Sequence, residues 1–213
     1  MAETILILGD SGSGKSTSLR NLNHEETFIF RVVDKSLPFK GWKSKYNKEN
    51  KNLFTTHNYV TLEQSLLKVN EKTEIKDIII DDCQYLMSFE YMLRAKETGF
   101  NKFTEIAQKF HSLIMLCKGL REDLNVYFMS HTEETNTGKI QMKTIGKMLQ
   151  DTITLEGLFT IVLLSKVEKE GYFFITHNDG YSTVKSPFGM FEEDKIPNDL
   201  KVVKEAINSY YAD

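Results

Sequence analysis

The sequence is poor in cysteine and in long apolar runs, and each shortage excludes a class of protein. Its two cysteines, Cys83 and Cys117, lack metal-ligand spacing and are too few for a disulfide framework, so we expect buried free thiols. No apolar run approaches the roughly 18 residues of a membrane span, and Met1–Thr4 leads directly into an apolar strand pattern. We therefore expect a cytoplasmic protein with no membrane partner.

An excess of positive charge is also missing. The chain has 27 Lys and Arg residues against 30 Asp and Glu residues, a formal net charge of −3, so any polyanion site must be local. Arginine is scarce too, and nucleotide kinases usually clamp acceptor phosphates with several arginines, whose planar guanidinium forms bidentate bonds. This scarcity disfavours a small nucleotide or metabolite kinase, which stays as an alternative. The arginines are Arg20, Arg31, Arg94 and Arg121.

The motif that organises the chain is GDSGSGKST, which directly follows the apolar run Ile5–Leu8. It fits the P-loop pattern G-x-x-x-x-G-K-[ST] in full, so Lys15 is expected to reach the β- and γ-phosphates while the Ser16 hydroxyl ligates Mg²⁺. A helix predicted from Gly14 to about Asn23 would add positive charge at its N-terminus. We predict ATP and Mg²⁺ as cofactors. The predicted nucleotide-binding residues are Gly9, Asp10, Ser11, Gly12, Ser13, Gly14, Lys15, Ser16 and Thr17.

A GTPase is a further alternative within the nucleotide class. The run Asn101–Thr104 is similar to the guanine-reading Asn-Lys-x-Asp motif, but it lacks the final acid. We therefore discount this alternative.

Strand and helix patterns alternate along the chain, which is typical of a mostly parallel sheet flanked by helices. The predicted strands after the P-loop are Thr27–Val33, Ile75–Asp82, Asn125–Thr132, Leu158–Leu164 and Tyr172–Thr176, the last two joined as a hairpin. The predicted helices are Thr61–Val69, most of 83–123 with a break at Gly99, and Leu200 to about Tyr210. We predict an α/β P-loop NTPase core with a C-terminal β-hairpin and a terminal helix, in a single domain over 1–213.

Carboxylates end two of the predicted strands. Asp81 and Asp82 follow an isoleucine run, at the sheet edge where the P-loop also lies if the sheet is parallel. Mg²⁺ needs an acid beside Ser16 and the phosphates, so we assign Asp81 to the metal, through water. Asp82 is expected to orient the attacking water, or alternatively to cap the following helix. Asp34, which ends the neighbouring strand, is an equal candidate for the catalytic role.

A histidine and three lysines follow at and beyond the fourth predicted strand. We predict that His131, at the strand tip, senses the γ-phosphate and passes its presence to the segment 133–156; the alternative is an ordinary surface histidine. Lys139, Lys143 and Lys147 lie four residues apart and would share one helical face or cluster in an ordered loop. Such a strip can neutralise the phosphates of a DNA strand, and the alternative is a solvated face.

Residues 35–56 form a second basic stretch. Six lysines are interleaved with aromatic residues and broken by Pro38 and Gly41, which predicts a long basic, aromatic loop. Trp42 or Tyr46 would stack nucleic-acid bases, or the loop would be a contact between subunits.

These motifs together resemble the phage nucleotide-binding proteins of the RecA-like Sak group, which are ATP-dependent single-strand annealing recombinases of bacteriophages. The resemblance runs over nearly the whole chain, and its specificity lies in the stretches after the P-loop. The stretches are GDSGSGKST at 9–17, the segment 37–42, IIIDDCQYLM at 78–87, FTEIAQKF at 103–110, FMSHTEE at 128–134, and the segments 143–163 and 178–200.

The resemblance implies a RecA-like core that binds single-stranded DNA, forms a homo-oligomeric ring or filament, and promotes annealing in phage recombination, in the host bacterial cytoplasm. It implies a weak or DNA-dependent ATPase whose DNA-binding loop follows His131, and a single-strand DNA-binding protein is a candidate partner. A basic residue of one subunit would complete the ATP site of its neighbour, with Lys166, Lys169 and Lys185 as candidates. The remaining alternative is a replication loader or binding module that uses ATP only as a structural ligand.

Overall fold

The computed structural model of the protein describes residues 1–146 and 153–212, and in these residues a twisted sheet forms the centre of the fold. Its strands are β1 (Glu3–Leu8), β2 (Thr27–Arg31), β3 (Leu53–Thr55), β4 (Asp77–Asp81), β5 (Asn125–Ser130), β8 (Ile161–Glu168), β9 (Gly171–Ile175) and β10 (Lys195–Pro197). A separate two-stranded hairpin pairs β6 (Thr132–Glu134) with β7 (Ile140–Met142).

The strand order is β10-β9-β8-β1-β5-β4-β2-β3, and the neighbours from β8 to β3 pair in parallel. Only β9 runs against the other strands of this sheet: it pairs antiparallel with β8 as the C-terminal hairpin and with the added strand β10 on its other side. The predicted α/β fold class, with a mostly parallel sheet, a C-terminal hairpin and a terminal helix, is confirmed. Because β5 lies between β1 and β4, its C-terminal tip falls between the P-loop and the aspartate pair.

Helices cover both faces of the sheet because the strands are apolar on both sides. On β1, Leu6 and Leu8 belong to one buried cluster, whereas Ile5 and Ile7 belong to the cluster on the opposite face. The first cluster packs against α2 to α4 and the second against α5. The helices are α1 (Trp42–Lys45), α2 (Tyr59–Asn70), α3 (Tyr85–Leu93), α4 (Asn101–Lys118) and α5 (Leu200–Tyr210).

The expectation of buried free thiols agrees with the structure. Both cysteines are free and buried. No helix in the described ranges 1–146 and 153–212 is long and apolar enough to cross a bilayer.

The helix predicted from Gly14 to Asn23 is wrong in length. The structure has turns after the P-loop and then only a four-residue 3-10 helix, Ser18–Asn21. The Ser18 hydroxyl donates to the Lys15 carbonyl oxygen at 2.5 Å, which is the kind of local bond by which serine competes with a regular helix. The phosphate site therefore depends on the loop and on Lys15 more than on a helix dipole.

Two segments predicted as loops contain regular structure. The basic stretch 35–56 carries the short helix α1 and the edge strand β3, because Tyr46 and Asn52 are buried and anchor it. The segment 133–156 begins with the β6–β7 hairpin, so Lys139 and Lys143 flank a strand and the helical-face alternative is wrong for them. Lys147 lies outside the described residues.

A buried ion pair fastens α5 to the edge of the sheet opposite the P-loop. Lys204 Nζ lies 2.7 Å from Asp77 Oδ2, whose side chain is fully buried, and 3.2 Å from Glu26 Oε2. Asn125 Nδ2 adds a long bond of 3.4 Å to Asp77 Oδ1. The Asp77 carboxylate therefore depends on Lys204 for its only close cation among the described residues.

We expect Lys204→Met to lower the free energy of unfolding by about 3 kcal/mol, because it leaves an uncompensated buried carboxylate. The double variant Asp77→Asn/Lys204→Met should recover most of this loss, since no buried charge remains. Urea unfolding of both variants and the parent chain measures the difference. Equal destabilisation of the single and double variants would contradict the stated cause.

Candidate nucleotide-binding and catalytic site

The P-loop follows β1 and is pressed closely against β8 and the segment before α5. A Cβ on Gly9 would lie 2.4 Å from Ser13 Oγ and 2.8 Å from the Ser165 carbonyl oxygen. Gly14 has a φ of +97°, and a Cβ there would lie 2.9 Å from Tyr172 Cδ1. Both positions therefore require glycine, the first for close approach and the second also for backbone conformation.

Lys15 and Ser13 have the properties expected of phosphate ligands. Lys15 is buried, and its Nζ donates to the carbonyl oxygens of Gly9 at 2.6 Å and Asp10 at 2.8 Å. Burial lowers the pKa of Lys15 to about 8, although Asp82 and Asp81 oppose the shift. The Ser13 hydroxyl is buried and has no hydrogen-bond partner among the described residues. A phosphate oxygen would give the Ser13 hydroxyl a partner and would accept a further hydrogen bond from Lys15 Nζ.

Ser16 and Asp81 meet at the tip of β4, as the Mg²⁺ assignment requires. Ser16 Oγ donates to Asp81 Oδ1 at 2.8 Å. Burial and the neighbouring charge of Asp82 raise the pKa of Asp81, and the Ser16 bond opposes this. A buried carboxylate beside a hydroxyl and a phosphate-binding loop suits a cation that takes few protein ligands and completes its shell with water and phosphate oxygens. The pair therefore fits Mg²⁺.

Asp82 lies between the Lys35 ammonium and the His131 imidazole. Its carboxylate forms an ion pair with Lys35 and lies 3.4 Å from His131 Nε2. Burial alone would raise the pKa of Asp82, but the bonds from His131 and Lys35 outweigh it and hold the pKa below its ordinary value. The backbone of Asp82 has a φ of +59°, a conformation that is uncommon outside glycine and asparagine-like residues. Asp82 is thus an ionised carboxylate in a fixed orientation at the phosphate pocket.

The alternative role of Asp82 as a helix cap is wrong. Gln84 occupies the N-cap of α3, with no side-chain capping bond. The Asp82 side chain instead turns to Lys35 and His131.

Asp34 is not brought to the phosphate pocket. Its side chain is 78% exposed and accepts a 2.8 Å bond from Arg31 Nη2. It lines a separate cavity with Trp42. The chain bends after β2, and Lys35 rather than Asp34 reaches Asp82, so the geometry favours Asp82 for the catalytic role.

The phosphate pocket has a volume of about 520 Å³ and contains residues that the sequence analysis missed. Lys35 and Tyr172 line it together with the P-loop, Asp82 and His131. Ser165 Oγ donates to the Ser13 carbonyl oxygen at 2.6 Å, and Asn198 Nδ2 donates to Ser165 Oγ at 2.8 Å. These two polar side chains brace the P-loop from β8 and from the turn before α5. The Asp199 side chain provides the N-cap of that helix.

The tip of β5 connects this pocket to the β6–β7 hairpin. His131 touches Asp82, and Thr132 Oγ1 donates to Asp10 of the P-loop. The Lys143 backbone N–H donates to the His131 carbonyl oxygen at 2.9 Å. Lys139 and Lys143 are exposed on the hairpin that begins at Thr132. The structure therefore brings His131 to the ATP site and ties the hairpin to it.

The family comparison agrees with a P-loop ATPase. The AAA domain family matches residues 1–187. No curated protein matches the sequence significantly. Among solved structures, a KaiC-like protein from the hyperthermophilic archaeon Pyrococcus horikoshii OT3 has a TM-score of 0.49 and 12% identity, covering 81% of this chain and 77% of that one. The family match spans most of the chain and includes every residue that lines the phosphate pocket, whereas Asn198, which bonds to Ser165, lies beyond it. The chain belongs to the AAA domain family and is a P-loop ATPase.

Proposed function

We propose that this P-loop ATPase is a RecA-like phage recombination protein that binds single-stranded DNA according to its nucleotide state and promotes single-strand annealing. The observation that carries the proposal is the continuity from Asp82 through His131 to the hairpin lysines. A γ-phosphate beside Asp82 would compete with it for Lys35 and His131 and would shift His131. The hairpin would move with His131, because Lys143 is bonded directly to its carbonyl oxygen.

The catalytic roles follow from the geometry of the pocket. Lys15 binds the β- and γ-phosphates, Ser16 and Asp81 hold the metal, and Asp82 orients the attacking water once ATP has drawn Lys35 away. Bound Mg²⁺ supplies charge neutralisation on the transferring phosphoryl group. We infer weak basal hydrolysis, because Lys35 and His131 engage both oxygens of Asp82 and would compete with the attacking water for them.

The hairpin offers a modest but local electrostatic site. Lys139 and Lys143 are exposed, while Glu133 and Glu134 on the partner strand limit the net charge. Gln141 Nε2 donates to Glu133 Oε1 at 3.1 Å, which holds one of these carboxylates along the hairpin. Two phosphate contacts of this kind give weak, salt-sensitive binding. Such binding suits a protein that acts as many copies along a strand.

We also propose that the protein works as a homo-oligomer, a ring or a filament. The β8–β9 turn ends at the same sheet edge as the P-loop, and Lys166 and Lys169 on it are exposed. Either could reach a neighbour's ATP site. Lys185 is less suited, because it pairs with Val162 away from this edge and burial lowers its pKa.

We expect the full chain to retain single-stranded DNA at low salt with Mg²⁺ and a slowly hydrolysed ATP analogue, and much less without nucleotide. Affinity should fall steeply between about 50 and 200 mM salt, because counterions are released on binding. Lys139→Gln/Lys143→Gln should reduce the slope of log affinity against log salt by about 1.4, which corresponds to two phosphate contacts. Fluorescence anisotropy of a labelled oligothymidylate measures both effects.

The same preparation distinguishes the alternatives. No retention under any nucleotide condition would contradict the proposal. Phosphate transfer from ATP to a nucleoside monophosphate would support a kinase instead. Retention without annealing of complementary strands, with stimulated loading of another replication protein, would support the loader.

A further inference from the structure

The segment 35–56, called the basic segment here, concentrates positive charge in an otherwise acidic chain. It contains six lysines and one glutamate, whereas the whole protein has a net charge of −3. Lys40, Lys43, Lys48 and Lys51 are exposed, and none of them forms an ion pair with a carboxylate among the described residues. Unpaired cations at this density form a local site for a polyanion.

The basic segment is a built surface. Asn52 Nδ2 donates to the carbonyl oxygens of His24 and Lys45, both at 2.9 Å, and Asn52 Oδ1 accepts from the Asn47 N–H. Tyr46 is buried against the sheet. The lysines are therefore presented from a fixed backbone, which lowers the entropy lost when a ligand binds. Because Tyr46 is buried, base stacking on its ring is excluded.

Trp42 lies at the centre of this surface, in a cavity of about 700 Å³ that Lys43, Lys48 and Phe54 also line. The Arg31 guanidinium lies 5.7 Å from the Trp42 ring centroid and Lys43 Nζ lies 5.9 Å from it. Phe54 is 38% exposed on the edge strand β3. Aromatic rings beside cations are the combination that binds single strands, since bases stack on the rings while the cations contact phosphates.

A direct chain of contacts joins this surface to the ATP site. Lys35 pairs with Asp82 in the phosphate pocket, and its backbone carbonyl oxygen accepts a 2.6 Å bond from Arg31 Nη1. The same Arg31 guanidinium lies over Trp42. Ser36 and Pro38 continue along the wall of the phosphate pocket. A shift of Lys35 on ATP binding would therefore be transmitted to the ring of Trp42 through one arginine.

We propose that the basic segment is a second contact for single-stranded nucleic acid, with a base on Trp42 and phosphates on Lys43 and Lys48, set by ATP through Lys35 and Arg31. This inference rests on the proposed function, but it concerns a surface separate from the β6–β7 hairpin. An acidic protein segment would form ion pairs with the lysines but would not require the aromatic cavity. The rings therefore favour a nucleic acid.

Trp42 is the only tryptophan in the chain, so its fluorescence reports on this surface directly. In the full chain with Mg²⁺ and the ATP analogue, oligothymidylate should quench the emission strongly. The ATP analogue alone should shift the emission of Trp42, because Arg31 links the ring to Lys35. Poly-glutamate of matched charge should not quench the emission, because it offers no base to stack on Trp42.

Lys43→Gln/Lys48→Gln should weaken oligothymidylate binding about tenfold at low salt. Trp42→Leu should weaken it by a similar factor, measured with a labelled oligonucleotide. The matched control is Lys68→Gln/Lys96→Gln, which removes the same charge from exposed lysines elsewhere and should bind within about twofold of the parent chain. Thermal unfolding checks that each variant is folded.

Normal binding by folded Lys43→Gln/Lys48→Gln, with loss in the hairpin variant Lys139→Gln/Lys143→Gln, would overturn this inference and leave the proposed function standing. Quenching by poly-glutamate equal to that by DNA would overturn it in favour of an acidic partner. A parent chain that binds no single strand would overturn both proposals.

Discussion

Lys15→Ala is expected to lower the kcat/KM for ATP hydrolysis by about 100- to 1000-fold, the cost of removing one donor aimed at developing charge. Lys15 is the buried cation of the P-loop, and Asp81 and Asp82 lie close enough to act on its pKa. Alanine leaves the charges of Asp81 and Asp82 at the phosphate site with Lys35, which already pairs with Asp82, as the remaining ammonium of the pocket. Steady-state hydrolysis and titration with a fluorescent ATP analogue separate the loss of turnover from the loss of binding.

The structure also predicts a structural consequence of this change. Lys15 Nζ donates hydrogen bonds to the carbonyl oxygens of Gly9 and Asp10, so the variant loses two hydrogen bonds within the P-loop. Thermal unfolding is therefore the necessary control, together with Lys68→Ala as a charge-matched surface change on α2.

The same variant tests whether ATP acts as a switch. If folded Lys15→Ala loses both hydrolysis and nucleotide-dependent DNA binding, the ATP site controls the DNA surfaces. If hydrolysis is lost and DNA binding is unchanged with and without nucleotide, ATP is a structural ligand. Hydrolysis at the parent rate would contradict the assignment of Lys15 itself.

The part of the site that is continuous in sequence could be predicted, and the reason is geometric. The P-loop is one run of residues, and parallel strands bring their C-terminal ends to one edge, so Ser16, Asp81 and His131 had to lie near it. The order of the strands then decides which of these side chains are in contact. With β5 between β1 and β4, His131 reaches Asp82 and Thr132 reaches Asp10.

The supports of the loop could not be predicted, because nothing local marks them. Ser165 lies 152 residues from Ser13, and its hydroxyl resembles any other strand serine until β8 is placed beside β1. Asn198 has the pattern of a helix cap, yet Asp199 takes that role and Asn198 is left free to hold Ser165.

The sequence alone does not distinguish Asp34 from Asp82 as the catalytic carboxylate, for a related reason. Both follow apolar strands, and a pattern of residue types does not say how the backbone turns at a strand tip. Asp82 has a left-handed backbone conformation, and its carboxylate lines the phosphate pocket. After the bend that follows β2, Lys35 lines the same pocket, whereas Asp34 lines the separate cavity with Trp42.

Asp82→Asn is expected to reduce kcat for ATP hydrolysis by about 100- to 10,000-fold, the range for a group that activates the attacking water. Asparagine tolerates the left-handed backbone, so the change removes the charge without straining the turn at φ +59°. The affinity for ATP should be unchanged or higher, because a carboxylate close to the phosphates is gone. Single-turnover hydrolysis and equilibrium ATP titration measure the two quantities separately.

The matched comparison is Asp34→Asn, which makes the same chemical change on the exposed carboxylate that pairs with Arg31. It should hydrolyse ATP within about twofold of the parent chain, since an exposed ion pair contributes little. The reverse outcome, with Asp34→Asn inactive and Asp82→Asn active, would reassign the catalytic carboxylate to Asp34. It would also require the tip of β2 to rotate when ATP binds, which would move Lys35 away from Asp82. Because Arg31 contacts both the Lys35 carbonyl oxygen and the Trp42 ring, the fluorescence of Trp42 would report that rotation.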